Sequence, residues 1–257
     1  MRDADMKTDA SVALAKVPEV TLGFWLIKIL ATTLGETGGD AVSMSMNLGY
    51  LVGTLIFAAL FAVAVWAQIR ADRFRPWLYW ATIIASTTVG TTLADLADRS
   101  LGIGYAGGAS LLLVLLLATL FTWHRSLGSI AVETVSNPKS ETFYWLTIMF
   151  SQTLGTALGD WVADTAGLGY TGGIAIFGSL LVLVLALHLW TKVSKTLLFW
   201  TAFVLTRPLG AVVGDFLDKP LDHGGLALSR YTASLVLLAG MAALIYLLPQ
   251  RAARKAH

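Results

Sequence analysis

Four stretches of the chain end in an aspartate at the same register: TLGETGGD from Thr33, TVGTTLAD from Thr88, TLGTALGD from Thr153 and PLGAVVGD from Pro208. The carboxylates of Asp40, Asp95, Asp160 and Asp215, with Glu36 inside the first copy, the hydroxyls of Thr33, Thr88 and Thr153 and the amide of Gln152, are oxygen donors. Such a set favours hard cations: Mg²⁺, Mn²⁺, Ca²⁺ or Na⁺. Soft metals call for sulfur, and only Met44 and Met46 lie near the acids. The chain has no cysteine, which excludes disulfides, thiolate ligands and cysteine nucleophiles. His124, His188 and His223 are too scattered to share a metal, and no His-Glu-x-x-His pair or serine–histidine arrangement points to an enzyme. No cofactor is expected; a metal cation enters as substrate.

The elements that must position these groups are repeats. A tryptophan precedes each motif glycine by ten residues (Trp25, Trp80, Trp145, Trp200), an aspartate follows by five, and a second glycine follows by fourteen (Gly49, Gly104, Gly169, Gly224). The motif glycines Gly35, Gly90, Gly155 and Gly210 are 55, 65 and 55 residues apart. Agreement at fixed offsets in four copies marks an array of one supersecondary unit, in two equal halves.

Each unit reads as a helical hairpin, with repeats near 20–70, 76–124, 141–190 and 196–248. Hydrophobic residues make up 56% of the chain, charged ones 13%, and the mean hydropathy is +0.71. Windows of about 20 apolar residues, the length that crosses a bilayer, recur throughout. The expected fold is all-α: a polytopic membrane protein with eight transmembrane helices as four parallel hairpins, pseudo-twofold or pseudo-fourfold, in one domain spanning 20–248. Its environment is the lipid bilayer, with assembly into a homo-oligomer left open; nucleic-acid binding has no support.

Charge sets the orientation. Thirteen lysines and arginines, among them Arg70, Arg73, Arg125, Lys192 and Lys195, fall on one side of this topology and only Arg99, Lys219 and Arg230 on the other. The positive side is cytoplasmic. Residues 1–19, with Asp3, Asp5 and Asp9 and no signal-peptide pattern, and residues 249–257 read as cytoplasmic tails. The stretch 125–141, containing Asn137-Pro138, reads as a linker between halves. The motif aspartates then form an anionic outer mouth that concentrates cations.

Depth singles out two further residues. Starting from Val20, Glu36 lies about 24 Å and Asp40 about 30 Å along the first helix. Three residues before the motif glycines stand Thr32, Thr87, Gln152 and Arg207. A guanidinium in hydrocarbon needs a carboxylate or a wet cavity, and Glu36 is the acid near its depth. The two are expected to meet across the axis within a polar band that includes Thr33, Thr88 and Thr153. Blander roles stand beside these: aspartates binding backbone amides at a turn, Gly-x3-Gly patterns packing helices, a purely structural Glu36–Arg207 pair, tryptophans anchoring at the interface, Lys28 snorkelling to the cytoplasm.

Four copies of a tryptophan–TLG–GD hairpin resemble a bacterial and archaeal integral-membrane family built from four copies of a repeat of unknown function, labelled uncharacterised membrane-anchored proteins. The resemblance covers roughly 20–248 and implies the architecture and a prokaryotic plasma membrane, but no substrate. Pro208, Arg207 and Ala94 depart from strict fourfold repetition. The expectation is a hard-cation transporter, with Glu36, Asp40, Asp95, Asp160 and Asp215 as ligands and Arg207 as internal counter-charge. Two rival readings are a permease that holds an organic solute on Arg207, with Trp161, Tyr50, Tyr105 and Tyr170 shaping the pocket, and a non-transporting structural or sensory protein.

Overall fold

A computed structural model describes residues 15–253. The acids expected in an N-terminal tail (Asp3, Asp5, Asp9) and residues 254–257 lie outside the described residues. The described chain is all-α, with eight long helices: α1 Leu22–Asp40, α2 Gly49–Arg70, α3 Pro76–Asp95, α4 Tyr105–Leu127, α5 Pro138–Asp160, α6 Gly169–Trp190, α7 Lys195–Asp218 and α8 Arg230–Leu247. Five of them, α2, α4, α6, α7 and α8, are long and apolar enough to cross a membrane. The other three, α1, α3 and α5, carry the densest polar positions.

Local signals start and end the helices. Thr21 and Ser194 accept from backbone amides in the first turns of α1 and α7, Asn137 and Ser140 form a reciprocal cap on α5, and proline opens α3 and α5. The second repeat glycine has a conformational reason: Gly49, Gly104, Gly169 and Gly224 all have φ between 65° and 82°, a left-handed region that side chains disfavour. The motif aspartates do not end in loops as the short polar stretches suggest. In three repeats the helix runs on past the aspartate through a π-helical turn, 41–45, 96–100 and 161–165.

Helices α1, α3, α5 and α7 form an inner ring in which each touches the next and α7 returns to α1; α2, α4, α6 and α8 pack outside on α3, α5, α7 and α1 respectively. The outer helices turn apolar side chains outward: the most apolar stretches of α2, α6 and α8 are only 17% buried, against 72% for α7.

The motif glycine allows the ring to close. A Cβ on Gly35 would strike Thr87, on Gly90 Gln152, on Gly155 Arg207 and on Gly210 Thr32. Each repeat's glycine thus receives the next repeat's residue from three positions before its own glycine, cyclically. Close approach of this kind is the usual use of small-x3-small patterns.

Residues four apart share a helix face, and the ring stacks five such layers of four. From one end they are Phe24, Tyr79, Tyr144 and Phe199; Lys28, Ile83, Ile148 and Phe203; Thr32, Thr87, Gln152 and Arg207; Glu36, Thr91, Thr156 and Ala211; and Asp40, Asp95, Asp160 and Asp215. All twenty are buried. The aromatic layer packs cyclically on the repeat tryptophans, with ring centroids 5.5 Å apart for Phe24–Trp80, 5.7 Å for Tyr79–Trp145, 6.1 Å for Tyr144–Trp200 and 5.7 Å for Phe199–Trp25. Trp80, Trp145 and Trp200 are therefore core residues rather than interfacial anchors, and Trp25 is half-buried. A buried indole N–H needs an acceptor: Trp80 donates to Gln250 and Trp200 to the Ile130 carbonyl.

Those partners belong to a cap. Residues 15–19 pair with 251–253 through an antiparallel bridge at Pro18 and Ala252, and the Lys16 amide donates to the Val135 carbonyl. Ala15, Val17, Val132, Val135 and Ala253 are buried against the tryptophans. The end segments and the inter-half connection thus pack on the bundle where simple tails and a linker are expected. Lys16 secures the cap, its ammonium 2.8 Å from Glu141 and donating to the Ile69 carbonyl.

Candidate functional site

The acids of the four repeats converge, but not as an open mouth. Asp40, Asp95, Asp160 and Asp215 are between 1% and 3% exposed. Burying a carboxylate demands a counter-charge, and the three basic residues that the topology assigns to this end supply it. Lys219, the first residue after α7, places its ammonium 2.6 Å from Asp40 and 3.0 Å from Asp215. Arg99, in the second π turn, lies 2.7 Å from Asp95 and 3.4 Å from Asp160. Arg230 pairs with Asp218 at 3.1 Å and stands 3.8 Å from Asp40. Each cation therefore bridges acids of two repeats or two helices. Burial opposes the charge on Lys219, but Asp215, Asp40 and Asp218 outweigh it and hold its pKa well above the ordinary lysine value.

Glu36 lies one layer inward and Arg207 two; Arg207 is fully buried and its Nη2 lies 2.9 Å from Glu36 Oε2. The same nitrogen donates to the hydroxyls of Thr91 and Thr156, and Thr91 also donates to Glu36 at 3.3 Å. All four inner helices contribute to this contact region, since Gly214 of α7 packs on the Glu36 side chain. The threonines expected in the band are elsewhere: Thr33, Thr88 and Thr153 each donate to the carbonyl four residues back in their own helix, Ile29, Ile84 and Met149. The correction is one of rotation. At 100° per residue, the position two before the glycine lies about 60° round the helix from the one after it, and it is the latter whose hydroxyls reach Arg207. Thr91 and Thr156 occupy the Glu36 register, so the repeat alignment carries that signal; Arg99 and Lys219 share a register too, nine residues after Gly90 and Gly210, where the other two copies have Met44 and Asp164.

Gln152 is fully buried beside these groups, and neither amide atom has a hydrogen-bond partner among the described residues; the same holds for Nε and Nη1 of Arg207. A further layer inward lies Lys28. It does not snorkel: it is fully buried, with its ammonium 3.4 Å from the Thr206 hydroxyl and 4.1 Å from the centre of the Phe203 ring. Helix α1 points it inward because its position repeats the four-residue step from Glu36 through Thr32.

Carboxylate oxygens of Glu36, Asp40 and Asp215 lie within 4.8 Å of one another. They come from two neighbouring inner helices, and the Lys219 ammonium is tethered among them. Arg99 bridges Asp95 and Asp160.

The repeat family described as Repeat of Unknown Function (DUF347) matches four segments of the chain, 23–74, 78–129, 143–194 and 198–251. No curated protein and no solved structure matches it. The four matched segments contain most of the four inner helices and all of their outer partners, and with them every residue of the axial layers; the chain belongs to the DUF347 repeat family.

Proposed function

We propose that this chain is a multi-pass transporter of a hard cation, with a divalent ion such as Mn²⁺ or Mg²⁺ as the best substrate class. In this reading all eight helices cross a prokaryotic plasma membrane as four parallel hairpins around a pseudo-fourfold axis, and both termini face the cytoplasm. The observation that carries it is the group of three carboxylates, Glu36, Asp40 and Asp215, with oxygens within 4.8 Å of one another. A lysine ammonium already bridges two of them, so the cluster accommodates positive charge. Charge count favours a divalent ion. The six buried carboxylates Glu36, Asp40, Asp95, Asp160, Asp215 and Asp218 meet four cationic partners, Arg99, Arg207, Lys219 and Arg230, which leaves a formal excess of two negative charges.

The cation enters as Lys219 withdraws with its loop, and Arg207 neutralises Glu36 when the site empties. A uniform low-dielectric site makes either charge alone expensive, which favours concerted exchange. The aromatic layer and the cap close the opposite end, so passage requires their separation.

A second reading has its own support. The unpartnered atoms of Arg207 and Gln152 suit a substrate carboxylate, as an organic-anion permease would require. It ranks lower because Nη2 of Arg207 is already held by Glu36, Thr91 and Thr156. Flux into proteoliposomes separates the two. Uptake of Mn²⁺ or Mg²⁺ that disappears in Asp40→Asn and Asp215→Asn supports the cation transporter; uptake of organic anions with indifference to metals replaces it.

A further inference from the structure

We propose a site for one acyl chain of an anionic glycerophospholipid in the groove between α1, α6 and α7. This groove of about 710 Å³ is lined by apolar side chains such as Trp25, Leu185 and Ala202, carries Lys195 and His188 at one end, and reaches Thr206 at the other. Lys195 and Thr206 are eleven residues apart on α7, about 16 Å of helix. That is close to half of a bilayer core of about 30 Å, so in the bilayer placement proposed above the groove spans one leaflet.

The seam is open here for a reason visible in the repeats. Nineteen residues after the second glycine stand Gln68 in α2 and Trp123 in α4, both buried, Trp123 with its ring 5.8 Å from Trp200. His188 holds the same register in α6 and is exposed. The side chain that seals two of the other seams is therefore replaced by one at the groove's rim; the fourth copy has an exposed alanine, Ala243, in that register.

Charge selects the occupant. The rim end carries Lys195, His188 and the first backbone amides of the 24-residue helix α7, with Lys192 three residues upstream, against Glu133 alone. Basic groups at the edge of the cytoplasmic leaflet bind anionic headgroups. The chain end meets Thr206, whose hydroxyl takes the Lys28 hydrogen bond. An occupant thus buttresses the α1–α7 pair that carries Glu36 and Arg207.

The test is thermal unfolding of the full chain in a neutral detergent, titrated with phosphatidylglycerol and with phosphatidylcholine of the same acyl chains. Half-saturation is expected about fivefold lower for phosphatidylglycerol. Lys195→Gln/His188→Gln should abolish that difference, and Leu185→Trp, on an exposed face, should weaken both lipids while circular dichroism is unchanged. Equal response to the two lipids, survival of the preference in both variants, or an equal response to palmitate or to inorganic phosphate alone overturns the proposal.

Discussion

The guanidinium of Arg207 rests on the carboxylate of Glu36, 2.9 Å away, across 171 residues of chain and inside a ring of four helices. Both side chains are almost wholly buried, so neither charge has solvent to fall back on. Removing one partner leaves the other uncompensated, at a cost of about 3–5 kcal/mol. Glu36→Gln and Arg207→Met should each lower the thermal midpoint strongly, and the double variant should recover most of the loss. A double variant as unstable as the sum of the singles, measured as a double-mutant cycle in detergent, would show that the two residues act independently.

The motif glycines should be far less tolerant than their neighbours. A methyl at Gly155 meets the Arg207 side chain and one at Gly35 meets Thr87, whereas at Gly38 nothing lies within 4 Å. Overpacking of this kind typically costs 1–3 kcal/mol, so Gly35→Ala and Gly155→Ala should be destabilised by about that much. Gly38→Ala should be neutral or slightly stabilising, since alanine is the better helix former. Equal midpoints for all three would mean that the inner helices are not in close contact.

Lys219 occupies the carboxylate cluster that the proposed cation would enter. Lys219→Met should raise the affinity for Mn²⁺ and lower stability in its absence, with the loss reversed by the ion. The readout is the thermal shift produced by Mn²⁺ in variant and wild type; an equal shift in both removes Lys219 from the site. The pH dependence has a definite sign. The folded-state pKa of Lys219 is raised, so its stabilising contribution is fully present below the unfolded-state value of about 10.4 and is lost only as pH rises through the higher folded value. Between pH 6 and 9 the Lys219→Met stability difference should therefore not vary on account of this lysine.

The cap should behave as a gate. Pro18 and Ala252 face each other across an antiparallel bridge, a geometry that suits a disulfide, and the chain has no cysteine of its own. Pro18→Cys/Ala252→Cys should cross-link under oxidation and stop transport, with recovery on reduction. Unchanged flux in the fully cross-linked protein would place the moving element elsewhere.

Helical spacing and the fourfold register made much of this arrangement legible in the chain itself. The tryptophans, glycines and aspartates recur at fixed offsets, so whatever one copy does the others repeat. Depth along a helix follows from a constant rise per residue, which is why Glu36 and Arg207 can be paired before any fold is known. The family resemblance likewise rests on these offsets. Rotation about the helix axis is a different matter. Which threonines face inward, Thr91 and Thr156 rather than Thr33, Thr88 and Thr153, depends on how neighbouring helices seat on the motif glycines. Only that packing brought the repeat tryptophans into the core. The π-helical turns carried Arg99 onto two acids from different repeats, and the loop after α7 delivered Lys219 to two more. Both cations stand nine residues after their motif glycine, in the second and fourth copies, so the internal comparison pairs them with each other but does not say which acid of a second repeat each one meets. Local spacing specifies a face, a depth and the acid four residues before each of Arg99 and Lys219; the second acid that each cation bridges is near in space and far in sequence, and only the closed ring selects it.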